Sequence, residues 1–251
     1  MQLKHSVALI TGTSRGLGFE VARAFARRGA RLVVTARDPE VLARAADAIR
    51  RDAGGVAEPD GVLAIAGDVG DPNHAERLVR ESLRRFGRID VLVNNASALG
   101  PSPMPTLADL SPVALWDIFR VNVLAPHTLA RLVLPAMRAR RSGLIVNVTS
   151  DAGVEAYPGW GGYGASKAAL EHLSRVFAAE LEGSGVRVYV VDPGDMNTQM
   201  HREAEPGVDL SHLPAPAAVA PAFVALVERE TAPFGRFRAQ RLENEIGRAV
   251  S

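Results

Sequence analysis

Short apolar runs rich in valine and isoleucine recur along the chain: VALI at 7–10, LVV at 32–34, VLAIAG at 62–67, DVLVNNA at 90–96, LIVNVTS at 144–150 and VRVYVVDPG at 186–194. Several are apolar at consecutive positions, as strands buried on both faces of a parallel sheet must be. Between them lie segments with apolar residues at helical spacing: Phe19–Arg28, Pro39–Arg51, Pro72–Phe86, about Pro112–Arg141, Gly161–Glu182 and Val219–Glu230. Glycines close the first three, at Gly29, Gly54-Gly55 and Gly87, and helices commonly end this way. Strands alternating with helical crossovers demand parallel pairing and right-handed connections. The pattern predicts an α/β fold, a doubly wound parallel β-sheet with helices on both faces (a Rossmann fold). No Pro/Gly/Ser-rich linker divides it, so one domain is expected over 1–251. Glu205–Pro216 reads as a loop over a site, within a substrate lid expected at about 195–216.

Composition narrows the class. At 251 residues, 47% apolar and 23% charged, the chain has room for a large core and the balance of an ordinary globular protein. A net charge of +1, with no basic run longer than a pair such as Arg140-Arg141, argues against nucleic acid as a partner. The absence of cysteine excludes disulfides, thiolate metal sites and a cysteine nucleophile. No apolar stretch approaches the roughly 20 residues needed to span a bilayer. The first apolar run, Val7–Ile10, is too short for a signal-peptide core. A cytoplasmic protein with no membrane partner is the expectation.

The first run leads directly into TGTSRGLG at 11–18 and then a helix. Gly12 permits a tight turn, while Gly16 and Gly18 permit close approach of a phosphate and of helix to strand. With Ser14, Arg15 and Leu17 they form a candidate pyrophosphate cradle, because a helix N-terminus offers free N–H groups to an anion. The second run ends at Ala36-Arg37-Asp38. An acidic residue here binds the ribose 2′-hydroxyl of NAD, whereas arginine accommodates the 2′-phosphate of NADP. Arg37 and Arg15 together would clamp that phosphate, so NADP(H) is favoured over NAD(H). A register shift of two residues would instead make Asp38 the ribose acid.

These motifs and their order identify the chain as resembling the short-chain dehydrogenase/reductase family, from about Ser6 to Arg238. TGTSRGLG looks like the family's cofactor loop. Asp68-Val69 matches its adenine-contacting motif, and Asn94-Asn95-Ala96 the motif that supports the sheet beside the cofactor. Asn122, in RVNVL, stands where the family has a catalytic asparagine. Ser150 precedes Tyr163 by 13 residues, and Tyr163 with Lys167 forms Y-x-x-x-K. Pro193 and Gly194, followed by Met196 and Thr198, resemble the segment that holds the nicotinamide carboxamide. The resemblance implies a homodimer or homotetramer, built on the long helices at about 112–135 and 161–182. Two departures stand out. Ser97 replaces the usual glycine after NNA, and the C-terminal tail at about 231–251 lacks the familiar glycine-rich ending.

Reduction of a carbonyl leaves an alkoxide that needs a proton. Tyr163 would supply it, with the Lys167 ammonium and the charge of the oxidised nicotinamide lowering its pKa from about 10. Ser150 would hydrogen-bond the carbonyl oxygen, and by resemblance Asn122 would link Lys167 to solvent. The leading expectation is therefore an NADP(H)-dependent oxidoreductase interconverting a ketone or aldehyde with an alcohol. An NAD-dependent alcohol dehydrogenase and a non-catalytic NADP-binding sensor or scaffold are the alternatives. His201, Glu203 and Glu205 read as a solvated loop rather than a metal site, and no metal is expected. Trp116 and Phe119 are expected in helix packing or subunit contact. Trp160 is a candidate for the substrate pocket, and Met196, Met200, Leu210 and Leu213 suggest a partly apolar lid.

Overall fold

The computed structural model describes residues 1–54 and 60–242. Seven parallel strands form one sheet: β1 Val7–Thr11, β2 Arg31–Thr35, β3 Val62–Ala64, β4 Val91–Asn94, β5 Gly143–Val148, β6 Val186–Asp192 and β7 Phe234–Arg238. Their order is β3-β2-β1-β4-β5-β6-β7, with Leu9 of β1 opposite Val33 of β2 and Leu92 of β4. The winding therefore reverses between β1 and β4. In open α/β sheets ligands bind in the crevice beyond the strand C-termini at such a reversal.

Alternation along the strands divides the core in two. Ala8, Ile10, Leu32 and Val34 face α1 (Gly16–Arg27), α2 (Pro39–Asp52) and α8 (Pro216–Arg229). Val7, Leu9 and Val33 face α3 (Pro72–Phe86), α5 (Ala125–Ala139) and the end of α6 (Gly161–Glu180). Phe25 on α1 and Phe223 on α8 are fully buried, and each such aromatic contributes about 2–3 kcal/mol through removal from water. The sequence places the helix starts well. Asp38 and Asp71 accept hydrogen bonds from backbone N–H groups in the first turns of α2 and α3, with proline following each.

Three expectations need correction. The helical stretch 112–141 is not one helix. It is α4 (Pro112–Phe119), a π-helical turn at Arg120–Leu124 and then α5. Such a wide turn re-aims its side chains, and Asn122 lies at its centre. The tail supplies a strand, β7, which apolar periodicity missed because FGRFR interleaves arginines with aromatics. The lid contains a short helix, α7 (Gln199–Ala204), where a loop was read. Trp116 is 60% exposed, which leaves subunit contact as its expected role. The Gly55 end of α2 and tail residues 243–251 lie outside the described residues. Among the described residues no helix is long and apolar enough to cross a membrane.

Candidate active site

The strand C-termini bring the predicted residues to one rim. β1 runs into the glycine loop, where Gly12 and Gly16 have φ of +71° and +64°, the left-handed region that glycine adopts without strain. Thr35 holds this loop from β2, its carbonyl accepting from the N–H groups of Gly12 and Thr13. Asn95 holds it from β4, with Nδ2 donating to the carbonyls of Thr11 (2.9 Å) and Gly12 (3.2 Å). Sequence reasoning quoted Asn95 inside NNA without assigning it a place in the site. Gly18 faces this amide so closely that a Cβ there would collide with it, while Leu17 is buried in the core.

The loop fits a dinucleotide. Arg15, at the N-cap of α1, makes no side-chain cap bond, and no acidic residue occupies the first turn. A Cβ placed on Gly16 would meet nothing within 4 Å. The positive end of a helix and its free N–H groups thus face open space beside Ser14. Arg15 and Arg37 are both exposed nearby, and Arg15 Nη1 donates to Gln199 Oε1 on α7. Asp38 Oδ1 accepts from the backbone N–H groups of Glu40 (2.9 Å) and Val41 (3.0 Å), so this oxygen is engaged in capping α2. Asp68 forms a 2.9 Å ion pair with Arg120 and accepts from Gly70 N. The Gly70 N–H, and then the Arg120 guanidinium, hold its carboxyl below the usual range against the opposing effect of burial. Val69 and Arg120 line a cavity of about 360 Å³ with Trp116 and His127.

On the other side of the reversal, Asn94 Nδ2 donates to Asn147 Oδ1 on β5, and Asn147 Nδ2 donates to Ser174 on α6, each at 2.8 Å. Asn94 therefore ties the sheet to α6, and Ala96 N donates to Thr11 Oγ1 at 3.0 Å. Asn122 completes the region. Its Oδ1 accepts from Ala98 N (2.7 Å) and Ser97 Oγ (3.1 Å), and its Nδ2 donates to Ala98 O and Ser166 Oγ, both at 2.9 Å.

Ser150 follows β5 and caps a short turn at Asp151–Gly153. Its hydroxyl donates to Asp151 Oδ1 (2.9 Å) and accepts from Ala152 N (3.2 Å). Tyr163 and Lys167 lie one turn apart on α6, both buried, with Lys167 Nζ 5.3 Å from the centre of the phenol ring. Lys167 Nζ also donates to Val148 O at 3.0 Å. Trp160 meets Tyr163 edge-on at 5.8 Å in a small apolar cluster with Leu99 and Ala204. Gly164, directly after Tyr163, lets α6 approach the carbonyl of Ala152.

The electrostatics differ from the sequence expectation. Burial pushes the Tyr163 phenol up to about 12, and the Asp151 and Asp192 carboxylates add to the rise, while hydrogen bonds from Ser97 and Ser150 oppose it. Burial also draws Lys167 down to about 8. The protein groups alone thus raise the tyrosine rather than lower it, because both partners lose water and the ammonium is weakened as a stabiliser of phenolate.

At the end of β6, Gly194 (φ +71°) donates its N–H to Asp192 Oδ1 at 2.9 Å and follows Pro193. Met196 is buried, and Thr198 caps α7 by accepting from His201 N at 3.1 Å. His201 Nε2 lies 3.4 Å from Glu205 Oε2, and among the described residues no cluster of three or more metal-ligating side chains occurs.

A seven-stranded parallel sheet with a glycine loop at its point of reversal defines a dinucleotide-binding α/β protein. Comparison with known proteins refines this class. The family model for short chain dehydrogenases matches residues 6–209. A ketoacyl reductase of Nostoc sp. is 37% identical over 233 residues, which cover 91% of this chain and 77% of that protein. A short chain dehydrogenase from Salmonella enterica serovar Typhi superposes with a TM-score of 0.85 at 28% identity, covering 95% of this chain and 97% of that one. A metagenomic short-chain oxidoreductase in complex with NADP superposes at 0.76 with 33% identity, covering 95% and 99%. The chain belongs to the short-chain dehydrogenase family of oxidoreductases.

Proposed function

We propose that the protein is an NADP(H)-dependent oxidoreductase that interconverts a ketone or aldehyde with an alcohol, using Tyr163 as general acid and base. One observation supports this reading: Tyr163 and Lys167 lie buried one turn apart on α6, and Lys167 Nζ donates to the Val148 carbonyl at the end of β5, two residues before Ser150. When bound, the nicotinamide supplies the hydride. Gly12, Ser14, Gly16, Leu17 and Gly18 form the pyrophosphate cradle, and Arg15 with Arg37 receives the 2′-phosphate. The capping of α2 by Asp38 and the NADP found in the metagenomic relative both support that cofactor. Asp68 and Val69 border the adenine, while Asn94, Ala96, Pro193, Gly194, Met196 and Thr198 border the nicotinamide half.

In the reductive direction the Ser150 hydroxyl turns toward the carbonyl oxygen and the Tyr163 phenol gives its proton to the nascent alkoxide. Lys167 would hold the ribose hydroxyls, and its ammonium would stabilise the phenolate left behind. Asn122, fixed by four hydrogen bonds, keeps the π turn in place against Ser97 and Ala98. The stretch at 195–216 acts as the substrate lid.

The test follows NADPH absorbance with ethyl acetoacetate, cyclohexanone, benzaldehyde and phenanthrenequinone. Tyr163→Phe is expected to lower turnover by at least about a hundredfold. Unchanged turnover would refute the assignment. Arg37→Ala is expected to reduce the preference for NADPH over NADH about tenfold, and an unaltered ratio would remove the phosphate clamp.

A further inference from the structure

A buried histidine is linked to the glycine loop through Thr35. This threonine, the last residue of β2 and fully buried, serves two sides at once. Its carbonyl accepts from Gly12 N (3.0 Å), Thr13 N (3.1 Å) and Thr13 Oγ1 (3.2 Å), so it fixes the turn that opens the glycine loop. Its hydroxyl donates to Ile65 O at 2.6 Å and lies 2.9 Å from Nε2 of His74, on α3. His74 is 5% exposed and packs so closely on Gly67 that a Cβ there would collide with the ring.

The protons available fix the tautomer of that ring. A threonine hydroxyl has one proton, and the Ile65 carbonyl takes it. His74 Nε2 must therefore carry a hydrogen and donate it to Thr35 Oγ1. In the neutral ring Nδ1 is then a bare acceptor, and Arg77 Nη2 lies 3.2 Å from it. Arg77 is itself anchored, since Nη2 also donates to Ala66 O. An imidazolium carries hydrogens on both nitrogens, so its Nδ1–H would point at a guanidinium that can only donate. The ring relieves that clash by turning, and turning withdraws Nε2–H from Thr35.

We propose that His74 is a positioning residue for the cofactor loop. As the neutral Nε2–H tautomer it holds Thr35, and through Thr35 the turn at Gly12 and Thr13; when a solvent proton binds Nδ1, that hold is lost. The proposal rests on the reading of the loop as the pyrophosphate cradle. The charged groups facing the ring are Arg77 on α3, Asp71 at the N-cap of α3 and Asp68 in the turn after β3. Burial, and then Arg77, hold the imidazole below its ordinary 6.5, while the two carboxylates oppose them. The neutral form therefore prevails at neutral pH, and the loop loosens only under acid conditions.

The test measures the Kd of NADP⁺ by calorimetry from neutral pH down to about pH 5 on the full chain, in the wild type, His74→Gln, His74→Leu and Arg77→Met. The 2′-phosphate titrates alike in all four, so differences between them belong to the protein. His74→Gln keeps an amide donor for Thr35 but does not titrate. Its affinity at neutral pH is expected within about threefold of the wild type, and His74→Leu should bind about tenfold more weakly, the effect of one hydrogen bond. At the acid end the wild type should lose about tenfold relative to His74→Gln. In ¹H–¹⁵N spectra the His74 signal, assigned by its loss in His74→Gln, should show Nε2–H and a bare Nδ1 at neutral pH. In Arg77→Met, a change at an exposed position, the His74 titration and the acid loss of affinity should both move to higher pH. An acid loss as large in His74→Gln as in the wild type would overturn the proposal. So would an Nδ1–H tautomer at neutral pH, or an acid limb that Arg77→Met leaves in place. Failure of NADP⁺ to bind the wild type at neutral pH would instead overturn the cradle reading, so the two failures are distinguishable.

Discussion

Arg236 on β7 and Glu171 on α6 form an ion pair behind the site, with Arg236 Nε 3.1 Å from each carboxylate oxygen. Thr149, next to Ser150, donates to Glu171 Oε1 at 2.8 Å, and Arg236 Nη2 lies 3.7 Å from Asp192 Oδ2. One arginine from the C-terminal strand therefore joins the ends of β5 and β6 to the helix that carries Tyr163 and Lys167.

Removing that arginine should be costly, because a carboxylate left buried loses its main compensation. Arg236→Met is expected to lower stability by about 3 kcal/mol, moderated by Arg175, which stays 3.3 Å from Glu171. The double variant Arg236→Met with Glu171→Leu should recover much of the loss. Denaturant titration of the three proteins checks this, and additive losses would show that the pair is uncoupled.

Lys167 should weaken the fold in which it serves. Its folded pKa of about 8 lies below the ordinary 10.5, so protonation opposes folding. That cost is fully present below about pH 8, fades as pH rises toward 10.5 and is absent above it. Lys167→Met is expected to stabilise the protein at pH 7 by about 1–3 kcal/mol, after allowing for the orphaned Val148 carbonyl, while abolishing turnover. The gain should shrink between about pH 8 and pH 10.5. Equilibrium unfolding across that range is the measurement, and a gain that grew with pH would contradict the argument.

Asp38 should matter to the helix rather than to the cofactor. Asp38→Ala removes the N-cap of α2 and is expected to lower stability by about 1 kcal/mol, with Asp38→Asn retaining most of it. The ratio of kcat/KM for NADPH over NADH should be unchanged in both. A rise in that ratio in Asp38→Asn would show the carboxylate acting on the ribose after all.

Much of the fold was legible because buried parallel strands and amphipathic helices leave local periodicities that survive in sequence. Six of the seven strands follow apolar runs. The seventh, β7, does not, because arginines interrupt its aromatics and Arg236 is held by a carboxylate 65 positions away. The π turn at Arg120–Leu124 was equally hidden, since its apolar spacing resembles that of an α-helix and the Ala98 backbone that Asn122 engages is distant in sequence.

The candidate site divides in the same way. By itself the sequence determined the glycine loop and the serine, tyrosine and lysine at their spacings, since turns and one-turn helical pairs depend on neighbours in the chain. Only the tertiary structure decided which groups face Tyr163 and in what dielectric. The Asp151 and Asp192 carboxylates act on it from the ends of two different strands, and burial moves the tyrosine and the lysine in opposite directions. Such effects depend on distance and lost water, and neither is encoded by residues adjacent in sequence.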